Sequence, residues 1–350
     1  MSNRCLPAEW EPQAGVMLTW PHTKSDWQTR LSSIEPVFVN LAHEITKREK
    51  LLIVAFKLDH QKHIQNLLNK AGVNTDNVVF ALCHSNDSWA RDHAPISVVK
   101  NGQAQLLDFT FNGWGEKYPA ELDNAITGEL LKQGVFGATP VSSVGLVLEG
   151  GSIDSDGAGS LLLTSRSLLH PKRNPAMNRQ QLERRLTELL GAKYFLWLEH
   201  GALSGDDTDG HIDMLARFTN TDTIVYQSCT ETAYSFYSEL NSMQSELEAF
   251  AQPDGEPYQL VALPWPSAQV NNKGNRLPAS YANFLIINQA VLVPVYGDDA
   301  DDIACKVIQS VFPDREIIPI NCRPLIEQFG SLHCVTMQFP EGVDISGSPA

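Results

Sequence analysis

Apolar positions along the chain come in short runs that repeatedly change period. "AGVMLTWP" (14–21) has the length and β-branched content of a strand, "IEPVFVNLAHEITKREK" (34–50) spaces its apolar positions at helical intervals, and "LLIVAF" (51–56) is again a short apolar run. The pattern predicts strand, helix, strand. It continues to the end of the chain, with helices expected at 59–72, 121–134, 177–191, 231–250 and 298–312. Strands such as "LLLTS", "TIVYQS", "YQLVALP", "FLIINQAVLVPVYG" and "REIIPIN" fall between them. Five or six such groups of about 60 to 70 residues each indicate an α/β chain whose unit exceeds a minimal crossover and has the size of a structural repeat. The groups do not align convincingly by sequence. No linker divides them, since "QPDGEP" and "SAQVNNKGNRLPAS" read as surface loops. A single domain over 1–350 is expected, with a frayed tail from about 342 to 350.

Composition narrows the class. Hydrophobic residues make up 43% and charged residues 19%, a globular balance, and no run approaches the roughly 20 apolar residues of a membrane span. The opening "MSNRCLPAEWEPQ" lacks a basic stretch followed by an apolar one, so a soluble, cytoplasmic protein is expected. The six cysteines lack paired spacing and fit a reducing compartment better than a disulfide framework or a metal site. A net charge of −15 disfavours nucleic acid and anionic membranes and favours a cationic ligand.

Four segments combine chemically useful side chains with the Gly, Pro and Trp of irregular backbone: "NDSWARDHAP" (86–95), "LEGGSID" (148–154), "GDDTDGHID" (205–213) and "GSLHCVTMQ" (330–338). Each sits at the edge of an apolar run, where scaffolds hold reactive groups. In an extended strand His211 and Asp213 would share one face, with Ile212 on the other. Glu149 precedes two glycines that permit close backbone approach. Asp92 follows Arg91, a pair that reads as a salt bridge or as a carboxylate kept ionised for a ligand. Cys334 follows His333 and reads as a packed thiol or as a nucleophile.

Each segment alone has an ordinary structural explanation. Together they supply two carboxylates, an acid to orient an imidazole, a histidine for proton transfer and a cysteine for attack. That set suits a guanidinium, whose paired N–H donors can be gripped by carboxylates while its central carbon stays open to a thiolate.

These segments, in this order, resemble those of the agmatine deiminase and bacterial-type peptidylarginine deiminase family within the guanidine-modifying superfamily. The likeness extends through "PAEWEPQAGVMLTWPH" (7–22), "FNGWGEKY" (111–118) and "LPASYANFLIINQAVLVPVYG" (277–297). The resemblance implies a five-bladed αβ propeller of pseudo-fivefold symmetry, the pentein fold, and hydrolytic deimination with no metal and no organic cofactor. It implies Cys334 as nucleophile, His211 as general acid and base, Glu149 as the partner of His211, and Asp92 and Asp213 as guanidinium clamps. Trp89, Trp114 and Trp20 would wall the substrate stem, and Asp206 and Asp207 would meet a second positive charge at its far end.

Here "GSLHCVTMQ" stands where relatives carry "GNIHC" followed by "ITQQ", a difference that bears on substrate more than on reaction. The leading expectation is hydrolysis of agmatine to N-carbamoylputrescine and ammonia for polyamine synthesis. The alternatives are a deiminase of free or peptidyl arginine, an amidinotransferase, and a non-catalytic propeller that binds a partner. A small cationic guanidine is the expected partner, and a face free of these motifs is left for a homodimer.

Overall fold

The structure, a computed structural model, describes residues 4–346. The chain divides into two compact units, one taking in the chain up to Trp10 with Gly151–His333, the other Glu11–Gly150 with the chain from Cys334 onward.

In the first of these units the chain starts with a two-residue strand, β1 (Arg4–Cys5), where Arg4 Nη1 donates to the Glu188 carbonyl oxygen at 2.8 Å. The second unit then begins with β2 (Gln13–Thr19), helix α1 (Leu31–Thr46), β3 (Lys50–Ala55), helix α2 (Leu58–Lys70) and β4 (Val78–Leu82). The three strands are parallel neighbours. Next come the single turn α3 (Ala90–His93), the hairpin strands β5 (Ile96–Lys100) and β6 (Gln103–Thr110), the turn α4 (Gly113–Glu116), helix α5 (Glu121–Lys132) and β7 (Val141–Val147). Here β5 is antiparallel to β6, and β6 is parallel to β7.

The other unit repeats that unit of construction three times. The strands β8 (Ile153–Ser155) and β9 (Ser160–Thr164) are antiparallel; after turn α6 (Ser165–Leu168) and helix α7 (Arg179–Leu190), β10 (Tyr194–Leu198) joins β9 in parallel. The same order holds for β11 (Ala216–Phe218), β12 (Thr223–Gln227), helix α8 (Tyr237–Ala249) and β13 (Gln259–Leu263). It holds again for β14 (Leu285–Ile287), β15 (Ala290–Val295), helix α9 (Asp301–Val311) and β16 (Glu316–Asn321).

The last strand, β17 (Thr336–Pro340), pairs antiparallel with β2 and supplies the antiparallel partner that the first sheet would otherwise lack. Among the described residues five sheets result, each containing an antiparallel pair, a helix and a parallel strand, with α2 and β4 added in the first. The short spacing between the strands of each hairpin and the longer helical crossovers account for which pairs run antiparallel and which parallel.

Central strands of these sheets are covered on both faces and read accordingly as unbroken apolar runs: Leu51–Ala55, Ser160–Thr164 and Thr223–Gln227 are buried throughout. The helices bury one stripe. In α7 this is Leu182, Leu186 and Leu190, with Asn178 and Gln181 forming a capping box at one end and Gly191 in the left-handed region at the other.

Two expectations need correction. The helix foreseen from 231 begins at Tyr237. Residues 231–236 instead make successive turns, because the Glu231 carboxylate is held by Arg276 Nη1 at 2.8 Å and by Trp265 Nε1 at 3.1 Å, with the Arg276 guanidinium 4.3 Å above the Tyr234 ring. The tail expected to fray from about 342 is packed as far as it is described. Val343 and Ile345 are buried, Ser346 N donates to the Val135 carbonyl at 2.9 Å, and Lys50 Nζ reaches the Ile345 carbonyl at 2.6 Å. Residues 347–350 lie outside the described residues.

The turn α4 is left-handed. Gly113, Trp114, Gly115 and Glu116 have φ of 66, 56, 80 and 65°, and Glu116 N and Lys117 N bond to the carbonyls of Asn112 and Gly113 at 2.9 and 3.0 Å. Each non-glycine residue in such a turn costs roughly 1–2 kcal/mol. A side chain at Gly113 would be strained by its φ and would place a Cβ 2.2 Å from the Tyr118 carbonyl oxygen. Gly128, inside α5, has open space around it and an ordinary helical backbone. Thermal melts of two alanine variants should therefore move in opposite directions. Gly113→Ala is expected to lower Tm by several degrees, and Gly128→Ala to raise it by about 1–2 °C. A Gly113→Ala variant melting like the parent would contradict the strain assigned to this turn.

Candidate active site

The first strand of every sheet is entered through a short polar junction. The turn α3 leads into β5, a 3-10 turn at Gly150–Ser152 into β8, one at Ile212–Met214 into β11, and one at His333–Val335 into β17; Ser280–Phe284 leads into β14. Asp92, Glu149, His211, Asp213 and Cys334 all occupy these junctions.

In the unit holding Glu11–Gly150, Asp92 is buried in α3 and accepts a hydrogen bond from Trp114 Nε1 at 2.8 Å. The left-handed turn is what turns that indole inward. Trp114 is fixed further by edge-on contacts with Phe111 at 5.0 Å and Tyr118 at 5.6 Å. Trp89, immediately before α3, lies 5.8 Å from the Trp27 ring.

Glu149 is fully buried. Gly150 after it is required by close approach, since a Cβ there would stand 2.2 Å from the Arg91 carbonyl oxygen. This contact sets the Glu149 junction against the one that carries Asp92. Cys334 is buried in the turn before β17, two residues ahead of the Thr336–Leu18 pairing that fixes the strand. Trp20 is wholly buried 5.4 Å from the Phe38 ring, a core position.

His93, Asp87 and Asp123 serve the scaffold. Burial lowers the His93 pKa to about 3, and its Nε2 lies 3.2 Å from Thr19 Oγ1, so a neutral ring ties α3 to the end of β2. Asp123, in the first turn of α5, accepts from Asn86 N at 2.7 Å and Asp87 N at 3.2 Å. Burial pushes the Asp87 carboxyl up to about 7 and that of Asp123 up to about 8.

In the other unit His211 and Asp213 are both buried, but not on one face of a strand. Gly210, at φ 82°, turns the chain, Ile212–Met214 forms a 3-10 turn closed by Leu215 N to the Ile212 carbonyl at 2.9 Å, and β11 starts only at Ala216. The extended geometry expected for this pair is thus replaced by a helical turn. Asp213 Oδ2 accepts from His333 Nδ1 at 2.9 Å. Burial alone would raise the Asp213 pKa. The bond and charge of His333 outweigh that, with His211 and Arg217 adding to the effect, and hold the carboxyl below the usual aspartate range.

Asp206 closes the turn that leads to His211. Its oxygens accept from Thr208 N and Oγ1 at 3.0 and 2.6 Å and from Gly210 N at 2.6 Å. Asp207 stands half-buried beside it. Arg173, with no exposed side-chain surface, holds the same loop through Asp209 at 2.8 Å and the Thr208 carbonyl at 2.9 Å.

Sequence reasoning missed the set behind Asp213: His333, Glu9, Arg217, Asp154 and Asn283. Glu9, Asp154, Asn283 and His333 lie within segments of the family likeness. The signal that could have found Asn283 is the junction itself, because aligning the chain on the short apolar runs "ISVV", "IDS", "ARF", "LII" and "TMQF" places "SYANF" opposite the other four junctions.

Known proteins place this chain clearly. The family model described as Porphyromonas-type peptidyl-arginine deiminase matches residues 5–340. A Mycoplasma capricolum protein carrying the name "putative agmatine deiminase" is 31% identical, over 96% of this chain and 95% of its own length. A structure described as the "putative arginine deiminase" of Porphyromonas gingivalis superposes with a TM-score of 0.92 at 46% identity, covering 97% of this chain and 99% of that one. A variant of the C. jejuni agmatine deiminase with substrate bound does so with a TM-score of 0.90 at 36% identity, covering 98% of each chain. With the five sheets described above, these matches bear out the α/β pentein fold class. The chain is a hydrolase acting on carbon–nitrogen bonds of linear amidines, and it belongs to the Porphyromonas-type peptidyl-arginine deiminase family.

Proposed function

We propose that the protein is an agmatine deiminase, converting agmatine and water to N-carbamoylputrescine and ammonia. The observation that carries this reading is the shared address of its polar residues. Asp92, Glu149, His211, Asp213 and Cys334 each stand at the entrance to the first strand of a sheet, and all five are buried, so carboxylates, an imidazole and a thiol share one kind of address. A guanidinium is the partner that this set suits.

In the proposed reaction Asp92 and Asp213 accept the N–H donors of the guanidinium and fix its plane. The Cys334 thiolate adds to the central carbon, and the C–N π electrons move onto nitrogen to give a tetrahedral adduct. His211, oriented by Glu149, protonates the departing nitrogen; the C–N bond breaks and ammonia leaves a covalent thiouronium. His211 then takes a proton from water, whose oxygen adds to the same carbon; the C–S bond breaks to return the thiolate, the hydroxyl proton passes to solvent, and the neutral ureido product is released. Loss of the positive charge weakens the hold of both aspartates, which favours product release.

Trp114 serves by orienting Asp92, and Trp89 by walling the site. The depressed pKa of Asp213 supports a clamp that stays ionised through the neutral range. At the far end of the substrate Asp206 and Asp207 are the candidates, with Asp206 also closing its own turn. A second reading, action on free or peptidyl arginine, is favoured by the description of the matching family model and by the 46% identity to the P. gingivalis chain. The net charge of −15 favours the dicationic substrate over one bearing a carboxylate.

Ureido product and ammonia should be measured with agmatine, free arginine and a peptide ending in arginine, in parallel. Turnover of agmatine is expected, with Cys334→Ala reducing kcat by at least about 10³-fold. Preference for arginine or the peptide would keep the chemistry and overturn the substrate. Trp114→Phe keeps the aromatic packing but removes the N–H that reaches Asp92. It should lower kcat/KM roughly tenfold to a hundredfold at nearly unchanged Tm, as expected for a lost bond to a charged group. An unaltered kcat/KM would remove Trp114 from the site.

A further inference from the structure

Five buried side chains in the unit holding Gly151–His333 form one continuous polar chain: Asp213, His333, Glu9, Arg217 and Asp154. His333 stands in its middle. Its Nδ1 lies 2.9 Å from Asp213 Oδ2 and its Nε2 lies 2.8 Å from Glu9 Oε2. Glu9 is itself immobilised, with Oε2 accepting from Arg217 Nη2 at 2.7 Å and Oε1 from Ile286 N at 2.7 Å. Arg217, fully buried, donates from Nε to Asp154 Oδ1 at 2.8 Å and from Nη1 to the Phe284 carbonyl at 3.0 Å, and its guanidinium lies 4.9 Å from the Phe284 ring. Asp154 Oδ2 in turn accepts from Phe218 N at 2.6 Å.

We propose that His333 is a positioning residue for the deimination, orienting the Asp213 carboxylate toward the substrate guanidinium while Glu9 and Arg217 hold the imidazole in place. The assignment rests on the deiminase reading of the site and extends it to a residue that touches no substrate.

Three features separate this role from simple packing. The ring is engaged at both nitrogens by carboxylate oxygens, so a flip would put carbon where each nitrogen stands and break both contacts. Asp213 is tied to His333 twice, because Asn283 Nδ2 donates to the Asp213 carbonyl at 3.2 Å while Asn283 Oδ1 accepts from His333 N at 2.9 Å. And His333 is joined by a peptide bond to Cys334, so neighbouring residues of one chain set the clamp and the nucleophile. Three carboxylates, Glu9, Asp154 and Asp213, are gathered around one guanidinium and one imidazole, a balance that a bound cation improves.

Two variants separate the two contacts of the ring. Asparagine places its amide nitrogen where Nδ1 stands, and glutamine places its own near Nε2. On this assignment His333→Asn keeps the bond to Asp213 and should stay within about threefold of wild-type kcat/KM. His333→Gln keeps only the bond to Glu9. It should raise KM for agmatine about tenfold or more with a smaller effect on kcat, because the clamp acts on substrate and transition state alike. The acid limb of its kcat/KM profile should also move to higher pH, since Asp213, which still faces His211 and Arg217, loses the contact that most favours its ionised form. Tm of the two variants should match within a degree or two. Equal losses in both variants, losses that follow Tm, or an unaffected His333→Gln enzyme would each overturn the assignment while leaving the deiminase reading intact. A wild-type protein that turns over none of the three guanidines would instead overturn the reading, and the assignment with it.

Discussion

Buried charge is the constraint to which the rest of this chain is fitted. Arg217 has no exposed surface, and a guanidinium in that position is tolerable only when its donors are all met. Glu9 arrives from the N-terminal segment, Asp154 from β8 and the Phe284 carbonyl from the entrance to β14 to meet them. Burial works against the charged form of Arg217, yet Glu9 and Asp154 more than offset it and raise its pKa above the ordinary value. One cation therefore gathers segments far apart in sequence, and three sheet entrances are set by it.

The same balance of burial against partners distinguishes the histidines and acids. His93 is buried with the Thr19 hydroxyl at one nitrogen and the Phe111 ring beside it, so it is neutral and serves as a strut. Asp213, equally buried, has His333 against one oxygen and is kept ionised. Asp87 and Asp123 have backbone N–H donors but no cation, and burial prevails. A second charge does not always win: Asp154, against Arg217, still has its carboxyl pushed up by burial.

Much of this was legible in sequence. The apolar runs of β3, β9 and β12 are as unbroken as their two-sided burial demands, and the stripe of α7 announces itself at Leu182, Leu186 and Leu190. The polar segments around Asp92, Glu149, His211 and Cys334 stood out because irregular backbone needs glycine, proline and tryptophan beside them. What failed depended on backbone direction or on distance in sequence. A period of two suggested that His211 and Asp213 share a strand face, whereas Gly210 bends the chain into a helical turn first. Not legible either was the turn that Asp206 closes, where a short acid two residues before Thr208 and four before Gly210 accepts from both backbone N–H groups. Glu9 and Arg217 could not be paired by any local rule, since 208 residues separate them.

The first sheet is completed by the last strand. During synthesis β2, β3 and β4 emerge early, and β17 emerges after every other described strand, so β2 waits with one edge open while the other four sheets are built. Cys334 lies just ahead of β17 in the chain. Its thiol is thus set in place only after the strands of the other four sheets have been made, and the residue that would act as nucleophile comes later in the chain than the strand it is anchored to.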